Sequence, residues 1–165
     1  MELVQLDRET ILDAAIEILR EYGLGDLSMR RLAKSVNLAV AGLYWYYPSK
    51  QALLGAIADK VIQSVTPSDD PVKFSVAVYD ALTSIPDAAE ITLAAMSAGT
   101  LSRDLLGDFR RVCENRGDIA YHYVLGAALE TQSKESWFRA QGIDAAIEPP
   151  TSQPECKPSC GSVRA

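Results

Sequence analysis

Residues 28–50, SMRRLAKSVNLAVAGLYWYYPSK, constrain this chain more than any other stretch, because they predict two short helices joined by a tight turn. Ser28 can cap the first helix, along which the apolar residues recur at spacings that put them on one face. Asn37 stands where the chain must turn, and Asn tolerates the left-handed backbone conformation. A second helix over residues 39–47 then buries Leu43. This is the spacing of a helix-turn-helix.

Acidic residues are missing from the same stretch. No Asp or Glu lies between Asp26 and Asp59, although the chain has a net charge of −6. The cations in that window are Arg30, Arg31, Lys34 and Lys50. A surface that meets DNA phosphates excludes carboxylates and retains cations, so the charge pattern favours contact with nucleic acid. A solvated helix face that happens to lack acids is the alternative interpretation.

The segment LYWYYPSKQALL resembles the end of the recognition helix and the start of the next helix in TetR-type transcriptional regulators. The preceding segment, LSMRRLAKSVNLAVAGLY, fits the same family in register and spacing, so the resemblance covers residues 6–62. Residues 119–132, IAYHYVLGAALETQ, resemble more weakly a dimer-interface helix of the family's effector domain. The resemblance implies a DNA-binding transcriptional regulator, and specifically a repressor that leaves its operator when a small molecule binds.

The resemblance also implies which residues contact DNA. Arg30 takes the position of a base contact, and Arg can hydrogen-bond a guanine edge in bidentate fashion. Tyr44 and Lys50 match phosphate contacts. The groove-facing part of the recognition helix consists of Val40, Ala41, Gly42, Tyr44, Trp45 and Tyr46. The alternative for these aromatic residues is packing in the core, which is our expectation for Tyr47.

This stretch departs from the family's pattern at the front of the recognition helix. Ala39 replaces a common capping Ser or Thr, and the three residues after it carry no hydrogen-bonding side chain. We therefore expect sparse direct readout of bases. Specificity would come from Arg30, from Trp45, from contact with thymine methyl groups, or from DNA shape.

The rest of the chain predicts an all-α protein, because its apolar residues recur at helical spacing and no window alternates like a strand. Asp7 is expected to cap a first helix, and Ser49 a long helix that ends near residue 66. Further helices are predicted over residues 72–85, 87–98, 102–116 and 118–133, with a short one over 135–141.

These elements divide the chain into three parts. Residues 1–55 form an N-terminal three-helix DNA-binding domain with the helix-turn-helix. Residues 56–147 form a shortened helical ligand-binding and dimerisation domain. Residues 148–165 are rich in Pro and Ser and are predicted to be a disordered tail.

By resemblance, the C-terminal helices hold a small-molecule effector and pair two subunits. The side chains expected to line the effector cavity are Phe74, Tyr79, Met96, Phe109, Tyr121 and Tyr123, although each aromatic can also be plain core. The dimer interface is expected to centre on Tyr121, Leu125, Ala128 and Leu129. Two-fold pairing suits a palindromic DNA operator, since one recognition helix reads only a few base pairs. The second pairing helix would come from residues 135–147, which Gly142 interrupts, so we expect a homodimer weaker than is usual for the family.

We expect no cofactor, metal or catalytic residue. The sequence has no Gly-rich phosphate loop and no plausible nucleophile–base pair, so an enzyme is not supported. His122 has no carboxylate at i+3 or i+4, and Cys156 and Cys160 have no nearby ligands with which to complete a metal site.

The sequence predicts a cytoplasmic protein with no membrane partner. Its longest apolar run is far shorter than the ~20 residues that a spanning helix needs, and the N-terminus lacks a signal pattern. The alternative function is a TetR-like DNA binder with a degenerate C-terminal domain. Such a protein would act constitutively, or as an accessory regulator without effector response.

Overall fold

The structure, a computed structural model, describes residues 7–66 and 68–142. Within those ranges the chain forms eight α-helices and no strand, which confirms the all-α prediction for this part of the chain. The helices are α1 (Arg8–Tyr22), α2 (Met29–Ser35), α3 (Val40–Tyr46), α4 (Lys50–Gln63), α5 (Pro71–Leu82), α6 (Ala88–Ser97), α7 (Leu105–Cys113) and α8 (Gly117–Ala140). Short 3-10 turns at Leu24–Asp26 and Glu114–Arg116 precede α2 and α8. The predicted tail, 148–165, lies outside the described residues.

Side-chain caps begin most of these helices. The N–H groups of a helix's first turn have no acceptor within the helix. A Ser or Asp side-chain oxygen accepts a hydrogen bond from one of them. The capping residues are Asp7, Ser28, Ser49, Asp70 and Asp104. The caps predicted at Asp7, Ser28 and Ser49 are therefore confirmed.

The observed helix bounds differ from the predicted ones at several ends, including the start of α7 and the end of α8. The helix predicted over 102–116 begins only at Leu105, because the Asp104 carboxylate accepts from Gly107 N–H at 2.9 Å and so fixes the start. The break predicted after residue 133 is absent, and α8 continues to Ala140. Glu130 and Lys134 pair at 2.7 Å across one turn, and no Gly or Pro interrupts residues 127–140. That pairing and composition favour a continuous helix.

Buried apolar side chains form one contiguous core that extends from α1 to α8. Helix α4 contacts α1 on one side and packs most extensively against α6 on the other. Its inward residues Leu53, Ile57 and Ile62 are fully buried. The predicted domain boundary at residue 55 therefore falls inside a helix that both parts of the molecule share.

Polar contacts fix the C-terminal end of α4 to the segment after α6. Arg103 donates to the carbonyl oxygens of Ile62 and Val65 at 3.2 and 3.1 Å. The Asp59 carboxylate accepts from the N–H and the hydroxyl of Ser102 at 2.8 and 2.7 Å. The bonds from Arg103 satisfy carbonyl groups that a helix end leaves free. These bonds therefore tie the position of this segment to that of α4.

Candidate nucleic-acid interface

Helix α2 is held in place by its cap and by its apolar face. The Ser28 hydroxyl accepts from Arg31 N–H at 3.1 Å, while Leu32 and Ala33 are buried against the core. Arg30 and Lys34 stand on the opposite, exposed side. This arrangement follows from the helical repeat, which separates the two faces.

The turn after α2 closes on Asn37, which adopts the left-handed conformation with φ of 53°. Leu38 N–H donates to the Ala33 carbonyl at 2.8 Å, and Asn37 N–H donates to the Lys34 carbonyl at 3.2 Å. These two bonds form a Schellman motif, which ends α2 abruptly and redirects the chain into α3. The role predicted for Asn37 is confirmed.

Helix α3 is anchored by two side chains and exposes the rest. Leu43 is fully buried, and the buried Tyr47 donates its hydroxyl hydrogen to the Arg8 carbonyl at 2.9 Å. The core position predicted for Tyr47 is therefore confirmed. Ala39 makes no side-chain cap, as its sequence predicts.

The outer face of α3 is apolar and aromatic. Val40, Ala41 and Tyr44 are exposed, and Trp45 is 85% exposed, the highest value among the large apolar side chains that the structure describes. Trp45 meets the half-buried Tyr46 edge to face, with ring centroids 5.7 Å apart. The structure thus brings most of the predicted groove-facing residues onto one surface. Gly42 is half-buried, and a β-carbon there would lie 3.2 Å from the Leu38 side chain.

The cations of the acid-free stretch do not share one environment. Arg30 and Lys34 line a groove with Asn37 and Val40, and neither has an ion pair among the described residues. Arg31 is engaged within the fold. Its guanidinium pairs with Asp26 and stacks over the Tyr22 ring, 3.7 Å from the centroid.

Lys50, the first residue of α4, lies apart from the groove that Arg30 and Lys34 line. It is half-buried and lines a second groove, whose other lining residues include Asp87, Glu90 and Arg139. The sequence did not predict that carboxylates from α6 and its preceding turn would stand near this lysine. Their distance along the chain explains why.

The predicted effector residues form a packed, largely buried cluster, with one exception. Phe74 and Phe109 are fully buried, with centroids 4.9 Å apart, and Phe109 also meets Tyr121 at 5.9 Å. The Tyr121 hydroxyl contacts the Met96 sulfur at 3.2 Å. Tyr79 is half-buried, and its hydroxyl lies 2.9 Å from that of Thr131. Tyr123 is the exception, and the structure does not bring it into the cluster. It is 67% exposed, because it lies two positions after the buried Tyr121 and side chains two positions apart on a helix lie on nearly opposite faces.

The predicted dimer residues face the core of their own subunit. Tyr121, Leu125 and Ala128 are buried within the subunit, and Leu129 packs against the same core. Helix α8 turns this face towards α5, α6 and α7, so these side chains have little surface left for a partner subunit. Its exposed large apolar side chains are Ile119, Tyr123 and Trp137.

Sequence reasoning missed Gln132, which is 6% exposed and fully hydrogen-bonded. Its Nε2 donates to the carbonyls of Leu82 and Ile85 at 2.9 and 2.7 Å, and its Oε1 accepts from Ala89 N–H at 2.9 Å. One side chain on α8 thus supplies hydrogen-bond partners for backbone groups at the end of α5, in the following turn and at the start of α6. No local signal in the sequence indicates these partners, which lie 43 to 50 residues away.

Among the described residues, no group of three or more His, Cys, Asp or Glu side chains is placed to hold a metal ion. Within the same ranges, every helix is too short or too polar to cross a membrane. The geometry of α2 and α3 is therefore that of a helix-turn-helix with a cationic and aromatic outer face. Such a face defines a DNA-binding protein.

Residues 11–57 match the family described as bacterial regulatory proteins, tetR family. Over 159 residues the chain is 28% identical to the tetracycline repressor protein class C of Escherichia coli, covering 85% of this chain and 73% of that protein. The fold is similar to that of Mycobacterium smegmatis BioQ, with a TM-score of 0.76 and 27% identity over 86% of this chain and 88% of that one.

Two solved complexes are also similar. One is BioQ with its natural double-stranded DNA operator, with a TM-score of 0.71 and 26% identity over 84% of this chain and 93% of that one. The other is a single-residue variant of TetR from Acinetobacter baumannii AYE in complex with minocycline. Its TM-score is 0.62, with 28% identity over 86% of this chain and 90% of that one. The chain is a TetR-type transcriptional regulator, a DNA-binding protein of a family that is not enzymatic.

Proposed function

We propose that the chain is a repressor that binds a palindromic duplex operator through α2 and α3. The observation that carries this is a stretch without carboxylates in which α2 exposes the cations Arg30 and Lys34 and α3 exposes Trp45. An indole that projects into water exposes apolar area which a partner surface can cover. The unpaired cations supply the charge that phosphates require.

The contacts follow from the chemistry of each position. Arg30 reads a guanine edge, while Val40 and Ala41 contact thymine methyl groups. Tyr44, Trp45 and Tyr46 pack along the sugar-phosphate backbone, while Gly42 is half-buried against Leu38 at the edge of this surface. Lys50 binds a phosphate at the start of α4, where the helix dipole adds to its charge.

Selection from a pool of random duplexes identifies the operator, and fluorescence anisotropy then measures affinity. Lys50→Glu should weaken binding to all sequences and flatten the salt dependence, because a phosphate contact becomes a repulsion. Arg30→Ala should relax preference at one base pair, at a cost of roughly 1–3 kcal/mol. Lys73→Glu on α5 carries the same charge change away from α2 and α3 and serves as the control. Unchanged affinity in both interface variants contradicts the assignment.

The operator contacts require two subunits, and α8 offers the surface for pairing. Ile119 and Trp137 are eighteen positions apart, which is five helical turns, so they lie in line with each other. Tyr123 lies near that line, and the exposed Gly126 follows it, so a second helix can approach closely. The proposed homodimer interface is therefore the outer face of α8, not the Tyr121 face.

Sedimentation at micromolar concentration tests this interface. Tyr123→Arg should shift the chain towards monomer, because it places a charge in the centre of an apolar contact. Val72→Arg on α5 is the matched control, since Val72 is 66% exposed and Tyr123 is 67% exposed. A wild-type monomer, or equal loss of pairing in both variants, would reject the α8 interface.

The effector, by analogy with the minocycline complex, is an apolar or aromatic small molecule that binds among α5 to α8. Its site is the cluster of Phe74, Phe109 and Met96, with Tyr79 at the edge. Because Phe74 and Phe109 are fully buried and in contact, the ligand must displace one of them. That displacement would move α6 and, through Arg103 and Asp59, α4.

The direct contact between the buried Phe74 and Phe109 equally favours a second function, a constitutive or accessory DNA binder without effector response. A thermal-shift screen with small aromatic compounds separates the two, since a ligand that binds only the folded state raises the melting temperature. Stabilising compounds that release DNA support the inducible repressor. Stabilising compounds without effect on DNA affinity support the constitutive binder.

A further inference from the structure

A hydrogen bond joins the DNA-binding part of the chain to α6 independently of α4. Leu24 N–H donates to Oδ2 of Asp87 at 2.7 Å, a contact between residues 63 positions apart. Leu24 begins the 3-10 turn between α1 and α2, where an N–H has no partner within its own turn. The carboxylate of Asp87 therefore caps, from another part of the molecule, the segment that leads into α2.

Both sides of this contact have unusual backbone conformations. Asp87 is left-handed, with φ of 61° and ψ of 12°, and its side chain makes no cap bond to α6. Gly23 has φ of 77°, and a β-carbon there would lie 3.2 Å from Asp87 Oδ2. A non-glycine residue in the left-handed region costs conformational energy, which surrounding contacts must offset. At Asp87 this left-handed conformation accompanies a carboxylate that bonds Leu24 and makes no cap bond to α6.

Gln132 fixes the other side of the same turn. It bonds the carbonyls of Leu82 and Ile85 and the N–H of Ala89, which flank Asp87 on both sides. The chain of contacts therefore runs from α8 through Gln132 to the turn before α6, and from Asp87 to the start of the helix-turn-helix. Helix α8 is the one that pairs the subunits in the proposed function.

We propose that Asp87 is a positioning residue that, together with Gln132, sets the orientation of the helix-turn-helix relative to the pairing helix α8. The link fixes the separation of the two recognition helices in a dimer and thereby selects the spacing of operator half-sites. This proposal rests on the proposed homodimer. Asp87 itself makes no contact with DNA in this arrangement.

The test measures binding to inverted repeats of the selected half-site, with the spacing varied one base pair at a time. Asp87→Gly keeps the left-handed backbone and removes the acceptor, while Asp87→Asn keeps the backbone and an oxygen acceptor. We expect Asp87→Gly to lower the preference for the best spacing over its neighbours by about tenfold, within the usual range of coupling between sites. Affinity for a single half-site should stay at the wild-type level, and Asp87→Asn should restore most of the spacing preference.

Gln132→Ala should broaden the spacing profile in the same way, and adding Asp87→Gly to it should change the profile little, because both act on one link. A wild-type spacing profile in folded Asp87→Gly overturns the positioning role while leaving the homodimer intact. A wild-type protein with no spacing preference overturns the homodimer, and the positioning role with it. Equal loss in Asp87→Gly and Asp87→Asn also overturns the link, since the acceptor would then be irrelevant.

Discussion

Thr100, in the segment after α6, occupies the space that a side chain at Gly55 in α4 would need. A β-carbon on Gly55 would lie 2.6 Å from the Thr100 carbonyl oxygen and 2.7 Å from the Thr100 β-carbon. No side chain can stand between these two elements. The close packing of α4 on α6 therefore depends on a glycine in the middle of a helix, where glycine costs roughly 1 kcal/mol relative to alanine.

Gly55→Ala should lower the free energy of unfolding by about 1–3 kcal/mol, because the overpacking exceeds the gain in helix propensity. Urea denaturation followed by circular dichroism measures the change. Gly25→Ala is the control, since a β-carbon there meets nothing within 4 Å among the described residues. A Gly55→Ala protein as stable as the wild type would show that α4 and α6 separate without cost.

Arg31→Ala and Lys34→Ala should weaken DNA binding for different reasons. Lys34 has no ion pair among the described residues, so its loss should lower the slope of log affinity against log salt by about 0.9, the value for one phosphate contact. Arg31 is held by Asp26 and Tyr22, so its loss should loosen the start of α2 and leave the slope unchanged. Anisotropy titrations between about 50 and 200 mM salt measure both slopes. An equal fall in slope for the two variants would place Arg31 on a phosphate.

Thr92→Val should stabilise the protein. The Thr92 side chain is fully buried in α6, and its hydroxyl has no hydrogen-bond partner among the described residues. Removing a buried unsatisfied hydroxyl without changing the side-chain shape should gain about 1 kcal/mol.

The contrasting variant is Thr83→Val, because the Thr83 hydroxyl donates to the Tyr79 carbonyl at 2.9 Å. This variant should lose roughly 0.5–1.5 kcal/mol. Thermal melts of the two proteins should therefore move in opposite directions. A lower melting temperature for Thr92→Val would mean that its hydroxyl is hydrogen-bonded after all.

Asp108 should make folding stability sensitive to acid. Burial raises the pKa of its carboxyl, but hydrogen bonds from Arg111 and Arg103 outweigh this and hold the pKa below its ordinary value of 3.8. A lowered folded-state pKa contributes stability that is complete above 3.8 and is lost as the pH falls through the folded-state value. The contribution matters because Arg103 also holds the end of α4.

Asp108→Asn should therefore destabilise the protein by about 1.5–3 kcal/mol at pH 7 and equally at pH 5, the range for hydrogen bonds to charged groups. The difference from wild type should shrink only below pH 3.8. Denaturation at a series of pH values gives the curve. A difference that already shrinks between pH 7 and 5 would require a carboxyl with a raised pKa instead.

The helix-turn-helix could be predicted from sequence because its determinants are local. Ser28 caps α2 three residues from its partner, and the turn at Asn37 closes through one bond from Asn37 to Lys34 and one from Leu38 to Ala33. Each of these contacts lies within one or two helical turns. Periodicity and turn chemistry are sufficient to find them.

The role of each face of α8 could not be predicted in the same way. Apolar residues occur on both sides, with Tyr121 and Leu125 inward and Ile119 and Tyr123 outward. A helical repeat gives the two faces but does not say which one the rest of the chain covers. The contacts of Asp87 and Gln132 were equally hidden, because their partners are 43 to 63 residues away.

Both tryptophans of the chain are exposed, Trp45 on α3 and Trp137 near the end of α8. They stand on the two different surfaces through which the protein is proposed to associate. Indole emission shifts to shorter wavelength when water leaves the ring, so each residue reports on one event. Trp137→Phe leaves a label for the operator, and Trp45→Phe leaves a label for the second subunit. The protein therefore contains two intrinsic fluorophores by which its two association equilibria can be followed separately, without an attached dye.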